Sequence, residues 1–183
     1  MGAGYDKEVD LRLFIGIELP QDIKEGLTRI ENTLKPRISN VKWVEKENFH
    51  ITLRFLGEIK EETLKDIEAS VEETANNYSS FNVSLSKIGR FPYVIWIGIE
   101  EGREVLANIA YTLEESLIRY NFPPADKPFS PHITLGRSRK PIKNIPQEDF
   151  IPLHFRVDSI SIIQSTLLPD GPIYKSLRRF PFL

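Results

Sequence analysis

The chain has 183 residues, enough for one domain with a sizeable core, and 40% hydrophobic against 27% charged residues excludes a disordered chain. It holds no cysteine, which removes disulfides, thiolate nucleophiles and cysteine-held metal sites. The net charge of −2, from 24 Lys and Arg against 26 Asp and Glu, argues against a general DNA-coating protein. No apolar run reaches the ~20 residues that span a bilayer.

Residues 1–10 read as a polar, acidic extension, unlike a signal peptide, so the expected setting is the cytoplasm. Residues 11–183 read as a single domain. Asp10 to Leu19 alternates, placing Leu11, Leu13, Ile15, Ile17 and Leu19 on one face of a strand. After Pro20, the spacing of Ile23, Leu27, Ile30 and Leu34 predicts an amphipathic helix to Lys35, ended by Pro36. A short strand over Val41–Val44 precedes a clearer one over Phe49–Leu56, closed by Gly57. A helix is predicted over Lys60–Asn77, a strand over Phe81–Ile88, a turn at Gly89–Pro92 and a strand over Tyr93–Glu100. Arg103–Tyr120 reads as a helix, and Asn121–Pro131, with four prolines, as a loop. His132–Ser138 is a strand, Arg139–Pro152 is irregular, and Phe155–Leu167 and Tyr174–Phe182 are strands joined through Pro169-Asp170-Gly171-Pro172. Consecutive hairpin-like strands favour an α+β fold with antiparallel sheets over a doubly wound parallel sheet. No glycine-rich phosphate loop or dinucleotide fingerprint is present.

Two words repeat at one spacing. Ile15-Gly16-Ile17-Glu18 returns as Ile97-Gly98-Ile99-Glu100, and His50-Ile51-Thr52-Leu53 returns as His132-Ile133-Thr134-Leu135, both 82 residues on. The predicted order of strand, helix and histidine strand returns with them. This pattern predicts two related halves, each a small sheet with a helix, facing one another across a cleft that holds two His-x-Thr pairs.

Side chains alternate along a strand, so residues i and i+2 share a face. Phe49, Ile51, Leu53 and Phe55 are expected inside, which turns His50, Thr52 and Arg54 to the other face. In the second copy Ile133 and Leu135 point inward, and His132 and Thr134 point out together. Two imidazoles titrating near neutral pH can serve as a general base and a general acid about one reacting centre. The threonine hydroxyls can donate to non-bridging oxygens between them. A phosphodiester fits such a site and needs no metal. Arg137 could grip a phosphate with two parallel bonds, but simple alternation puts it on the face of Ile133 and Leu135. A bulge or twist at Gly136 is required to bring it round. The third histidine, His154, lies outside any such motif and reads as structural or surface.

On these motifs the chain resembles the RNA 2′,3′-cyclic phosphodiesterases, also described as 2′–5′ RNA ligase-like proteins, of the 2H phosphoesterase superfamily. The resemblance runs from Leu11 onward. It rests on Leu11–Ile17, His50–Gly57, Gly89–Pro92, Pro131–Arg137 and Leu168–Tyr174 in this order. It implies a bilobal fold with helices on the outer face of each sheet and the site between the lobes. It implies hydrolysis of RNA 2′,3′-cyclic phosphate ends to 2′-phosphates, without metal or cofactor, and weak ATP-independent 2′–5′ ligation in reverse. It implies His50 as proton donor, His132 as proton acceptor, and Thr52, Thr134 and Arg137 as phosphate ligands. The repeat itself does not distinguish donor from acceptor. The expected partners are RNA with cyclic phosphate termini, tRNA fragments among them, or cyclic nucleotides, bound by a monomer with no DNA coating and no membrane. The competing readings are a non-catalytic nucleotide or RNA-end binding module on the same fold, and a metal-dependent phosphoesterase.

Overall fold

The computed structural model describes residues 10–147 and 149–183, so all of the N-terminal extension except Asp10 lies outside the described residues. The strands are β1 (Asp10–Glu18), β2 (Val41–Trp43), β3 (His50–Lys60), β4 (Phe81–Phe91), β5 (Val94–Ile99), β6 (His132–Ser138), β7 (Leu153–Val157), β8 (Ser159–Leu168) and β9 (Gly171–Pro181). The α-helices are α1 (Gln21–Leu34), α2 (Leu64–Ala75) and α3 (Arg103–Arg119). The strands form two antiparallel sheets, one in the order β3-β1-β8-β9 and the other β2-β6-β5-β4-β7. This is the expected α+β architecture of two lobes.

The chain passes repeatedly between the lobes. β2 from the first half edges the second sheet, while β8 and β9 from the second half complete the first. The α1 stripe of Ile23, Leu27, Ile30 and Leu34 is buried, and the helix packs against β7 of the second sheet. Gly26 permits that approach, because a Cβ there would lie 2.8 Å from Leu153. Helices α2 and α3 pack on each other and on the first sheet, α2 against β8 and β9, α3 against β3. The two sheets meet where β3 faces β6, the strands that carry the two His-x-Thr words. No helix among the described residues is long and apolar enough to cross a membrane.

Several predicted boundaries move, each for a local reason. β3 does not close at Gly57 but runs to Lys60, because Gly57 adopts φ 75° and lets the strand continue through an irregularity opposite β1. Phe55, expected in the core, is 57% exposed, since the shifted register sets it beside Phe14 at 5.8 Å between ring centroids. The turn expected at Gly89–Pro92 falls instead at Pro92 and Tyr93, because Gly89, Arg90 and Phe91 pair with Trp96, Ile95 and Val94. The predicted strand Phe155–Leu167 divides at Asp158, whose carboxylate accepts from Ser159 and Arg179. Its first part joins β4 in one sheet and its second joins β1 in the other.

Candidate active site

His50 opens β3 opposite Glu18, and His132 opens β6 opposite Gly98. The alternating burial follows the sequence pattern: Ile51 and Ile133 are fully buried, while His50, Thr52, His132 and Thr134 are only partly covered. The apolar face of each strand thus anchors its sheet, and the polar face is left to the cleft.

Each imidazole is oriented in the same way. A main-chain carbonyl can only accept, so Nδ1 of His50 carries a proton and donates it to Asn48 O at 2.6 Å. Nδ1 of His132 likewise donates to Ser130 O at 2.7 Å. In the neutral ring Nε2 is then the free acceptor. Nε2 of His50 accepts a hydrogen bond from the Thr52 hydroxyl at 2.7 Å. Phe14 lies tilted against the ring at 4.6 Å and Tyr174 meets it edge-on at 5.2 Å, so His50 is enclosed by aromatic carbon. Among the described residues His132 has one aromatic neighbour, Phe91, edge-on at 5.4 Å.

Burial makes both imidazoles hard to charge. It pushes His50 down to about 4, and the nearby Arg137 and His132 charges push the same way. His132 is lowered by burial first and by Arg137 second. Burial raises the Tyr174 hydroxyl, with Arg137 and Arg12 opposing. Arg137 therefore acts electrostatically on His50, His132 and Tyr174 together.

Parity alone turns Arg137 away from the histidines, and a strand irregularity reverses it. The β5–β6 register steps from Trp96–Thr134 to Ile95–Gly136 and leaves Leu135 unpaired. The β1–β3 register makes the same step, from Gly16–Thr52 to Ile15–Arg54, and leaves Leu53 unpaired. Gly136 gives room here, since a Cβ would fall 2.5 Å from Val41. Arg54 shares parity with His50 but is committed elsewhere. Its Nε donates to Glu114 at 2.7 Å and its other nitrogens donate to the Phe55 and Pro123 carbonyls. His154 lies on the surface with Glu101 at 3.9 Å. Among the described residues no three His, Asp or Glu side chains group as metal ligands.

Beside the histidines opens a cavity of about 400 Å³, lined by Lys42, Trp43, Asn48, Arg137, Ile173 and Tyr174 among others. Its wall is a crossing between lobes: Lys42 donates to Asp170 O and Asn48 to Pro172 O, both at 2.8 Å. Neither the motifs nor strand parity singles out Phe14, Lys42, Trp43 or Tyr174 as neighbours of the site. Phe14 interrupts no apolar pattern in a strand buried on both faces, and Lys42 and Trp43 become neighbours of the site only through the β2–β6 pairing.

A protein-family model described as LigT like Phosphoesterase matches residues 17–96 and again 97–174. The chain belongs to this LigT-like phosphoesterase family. It is 36% identical over 182 residues to a protein of Archaeoglobus fulgidus named RNA 2′,3′-cyclic phosphodiesterase, covering 93% of this chain and 99% of that one. A protein of the same name from Methanothermobacter thermautotrophicus is 31% identical over 182 residues, covering 93% and 98%. Among solved structures, E. coli LigT complexed with 3′-AMP superposes with TM-score 0.84 at 26% identity, over 95% of this chain and 99% of that chain. A crystal structure of a Thermus thermophilus protein gives TM-score 0.82 at 30% identity, over 94% and 98%.

Proposed function

We propose that the protein hydrolyses RNA 2′,3′-cyclic phosphate ends to 2′-phosphomonoesters by paired general acid and base catalysis. The observation that carries this reading is the matched pair of imidazoles, each held by a main-chain carbonyl through Nδ1 with Arg137 close to both. The relatives named for this activity span nearly the whole chain, which supports the same reaction here.

In the proposed reaction, water attacks the cyclic phosphorus in line with the 3′ oxygen. Nε2 of His132 takes the water proton, the P–O3′ bond breaks, and Nε2 of His50 gives its proton to the departing oxygen. The asymmetry of the pair supports these roles. His132 is the more open ring and suits a base that must reach water. His50 is enclosed by Phe14, Thr52 and Tyr174 and suits an acid kept from solvent. A phosphate anion between the rings favours the imidazolium that burial otherwise resists. Thr52, Thr134 and Arg137 hold the non-bridging oxygens, with the Thr52 hydroxyl turning from His50 to the phosphate. With an RNA 5′-hydroxyl in place of water as the nucleophile, a P–O5′ bond forms as P–O3′ breaks, and the same groups join ends through a 2′–5′ bond without ATP.

The repeated words and the unpaired Leu53 and Leu135 support two related halves within one domain, 11–183, preceded by the polar extension. One chain supplies both histidines, which supports a monomer, acting in the cytoplasm on RNA ends such as tRNA fragments. The test is to incubate purified protein with an RNA ending in a 2′,3′-cyclic phosphate and identify the product. A terminal 2′-phosphate is expected. Binding of that RNA without any turnover would establish the binding module instead.

A further inference from the structure

Lys42 and Arg137 stand directly opposite one another in the β2–β6 pairing. Side chains so placed lie about 5 Å apart at Cβ, and like charges there repel. Among the described residues no carboxylate pairs with either side chain. The Arg137 side chain makes no hydrogen bond or ion pair among the described residues, and the Lys42 amine bonds only the Asp170 carbonyl. Glu45 and Asp170 line the same cavity, yet neither carboxylate pairs with either cation. Two unneutralised cations on one rim call for anions from outside. Arg137 lies by the histidines, so its anion is the reacting phosphate. Lys42 lies one strand further out and lines the 400 Å³ cavity that Trp43, Ile173 and Tyr174 also wall.

We infer that Lys42 binds the phosphodiester adjoining the terminal cyclic phosphate, with the nucleoside between them held in this cavity, so that the site selects an RNA end over a mononucleotide. The inference rests on the proposed phosphodiesterase reading and extends it to the length of the substrate. Lys42 belongs to the edge strand of the second sheet and reaches the β8–β9 turn of the first. It therefore marks where a chain leaving the cleft crosses between the lobes.

The test compares kcat/KM for adenosine 2′,3′-cyclic phosphate with that for an adenylyl dinucleotide ending in the same cyclic phosphate. The wild type is expected to prefer the dinucleotide. Lys42→Gln keeps a donor for the Asp170 carbonyl but removes the charge, and should cut the preference by about tenfold, the loss of one charge-assisted phosphate contact. Lys42→Ala should cut it at least as far. The salt dependence of log(kcat/KM) for the dinucleotide should also become shallower by about 0.7 in the Gln variant, one single-strand phosphate contact. General damage to the fold lowers both substrates together and leaves their ratio intact. An unchanged ratio in both variants, or a wild type that does not prefer the dinucleotide, would overturn the inference. A wild type that turns over neither substrate would instead sink the phosphodiesterase reading, and this inference with it.

Discussion

Glu31 offers a quantitative test of how this core tolerates charge. It lies on the buried side of α1 with 1% of its surface exposed. One carboxyl oxygen reaches Lys35 at 3.2 Å, while the other, Oε1, has no hydrogen-bond partner among the described residues. Burial raises this carboxyl from 4.5 to about 7, against the opposing pull of Lys35. A group with a raised folded pKa leaves the folded state holding the extra proton. Stability is therefore full below 4.5 and is lost as pH rises towards 7, beyond which the loss is complete. A shift of this size, taken at 1.36 kcal/mol per unit, amounts to about 3 kcal/mol, of which about 2–3 kcal/mol falls between pH 5 and pH 8. Glu31→Gln keeps the shape and removes the titration. Urea unfolding of both proteins should show the variant gaining about 2–3 kcal/mol over wild type on moving from pH 5 to pH 8, roughly 1 M in midpoint. A difference that does not change with pH, or a variant that loses ground at pH 8, would refute a buried, strained carboxyl.

The remaining predictions concern the cleft. Because burial depresses both imidazoles, kcat/KM for a cyclic phosphate should follow a bell centred below the usual histidine value of 6.5, and the kcat profile should sit at higher pH once bound phosphate favours the charged ring. A kcat/KM that rises steadily to pH 8 would contradict paired acid and base. Arg137→Ala should move the NMR titrations of His50 and His132 upward and raise KM for the cyclic phosphate about tenfold or more. Unmoved histidine titrations would remove Arg137 from their surroundings.

Much of this site was legible because histidine is scarce. Two of three histidines fall in words repeated at one offset, off the apolar face, and strand alternation does the rest. Helix stripes such as Ile23, Leu27, Ile30 and Leu34 were legible for the same reason, a period with one buried face. What escaped was long-range pairing. The apolar phase shifts across Asp158, from Phe155 and Val157 to Ile160 and Ile162, but nothing local announces that the two pieces join different sheets. The unpaired Leu53 and Leu135 are defined only by the partner strand, yet they decide where Phe55 and Arg137 lie. Arg54 had the parity of a site residue, and only the fold reveals its commitment to Glu114 and Pro123. Lys42 and Trp43 sit in a three-residue strand whose place beside Arg137 comes from a partner almost a hundred residues away.

The proposed reaction requires the two imidazoles to work as a pair. The most direct measurement is the turnover of one RNA ending in a 2′,3′-cyclic phosphate by wild type, His50→Ala and His132→Ala, each confirmed folded. Each substitution is predicted to cost ~10²–10⁴ in kcat while a terminal 2′-phosphate remains the wild-type product. Near-native turnover by either variant would contradict the account.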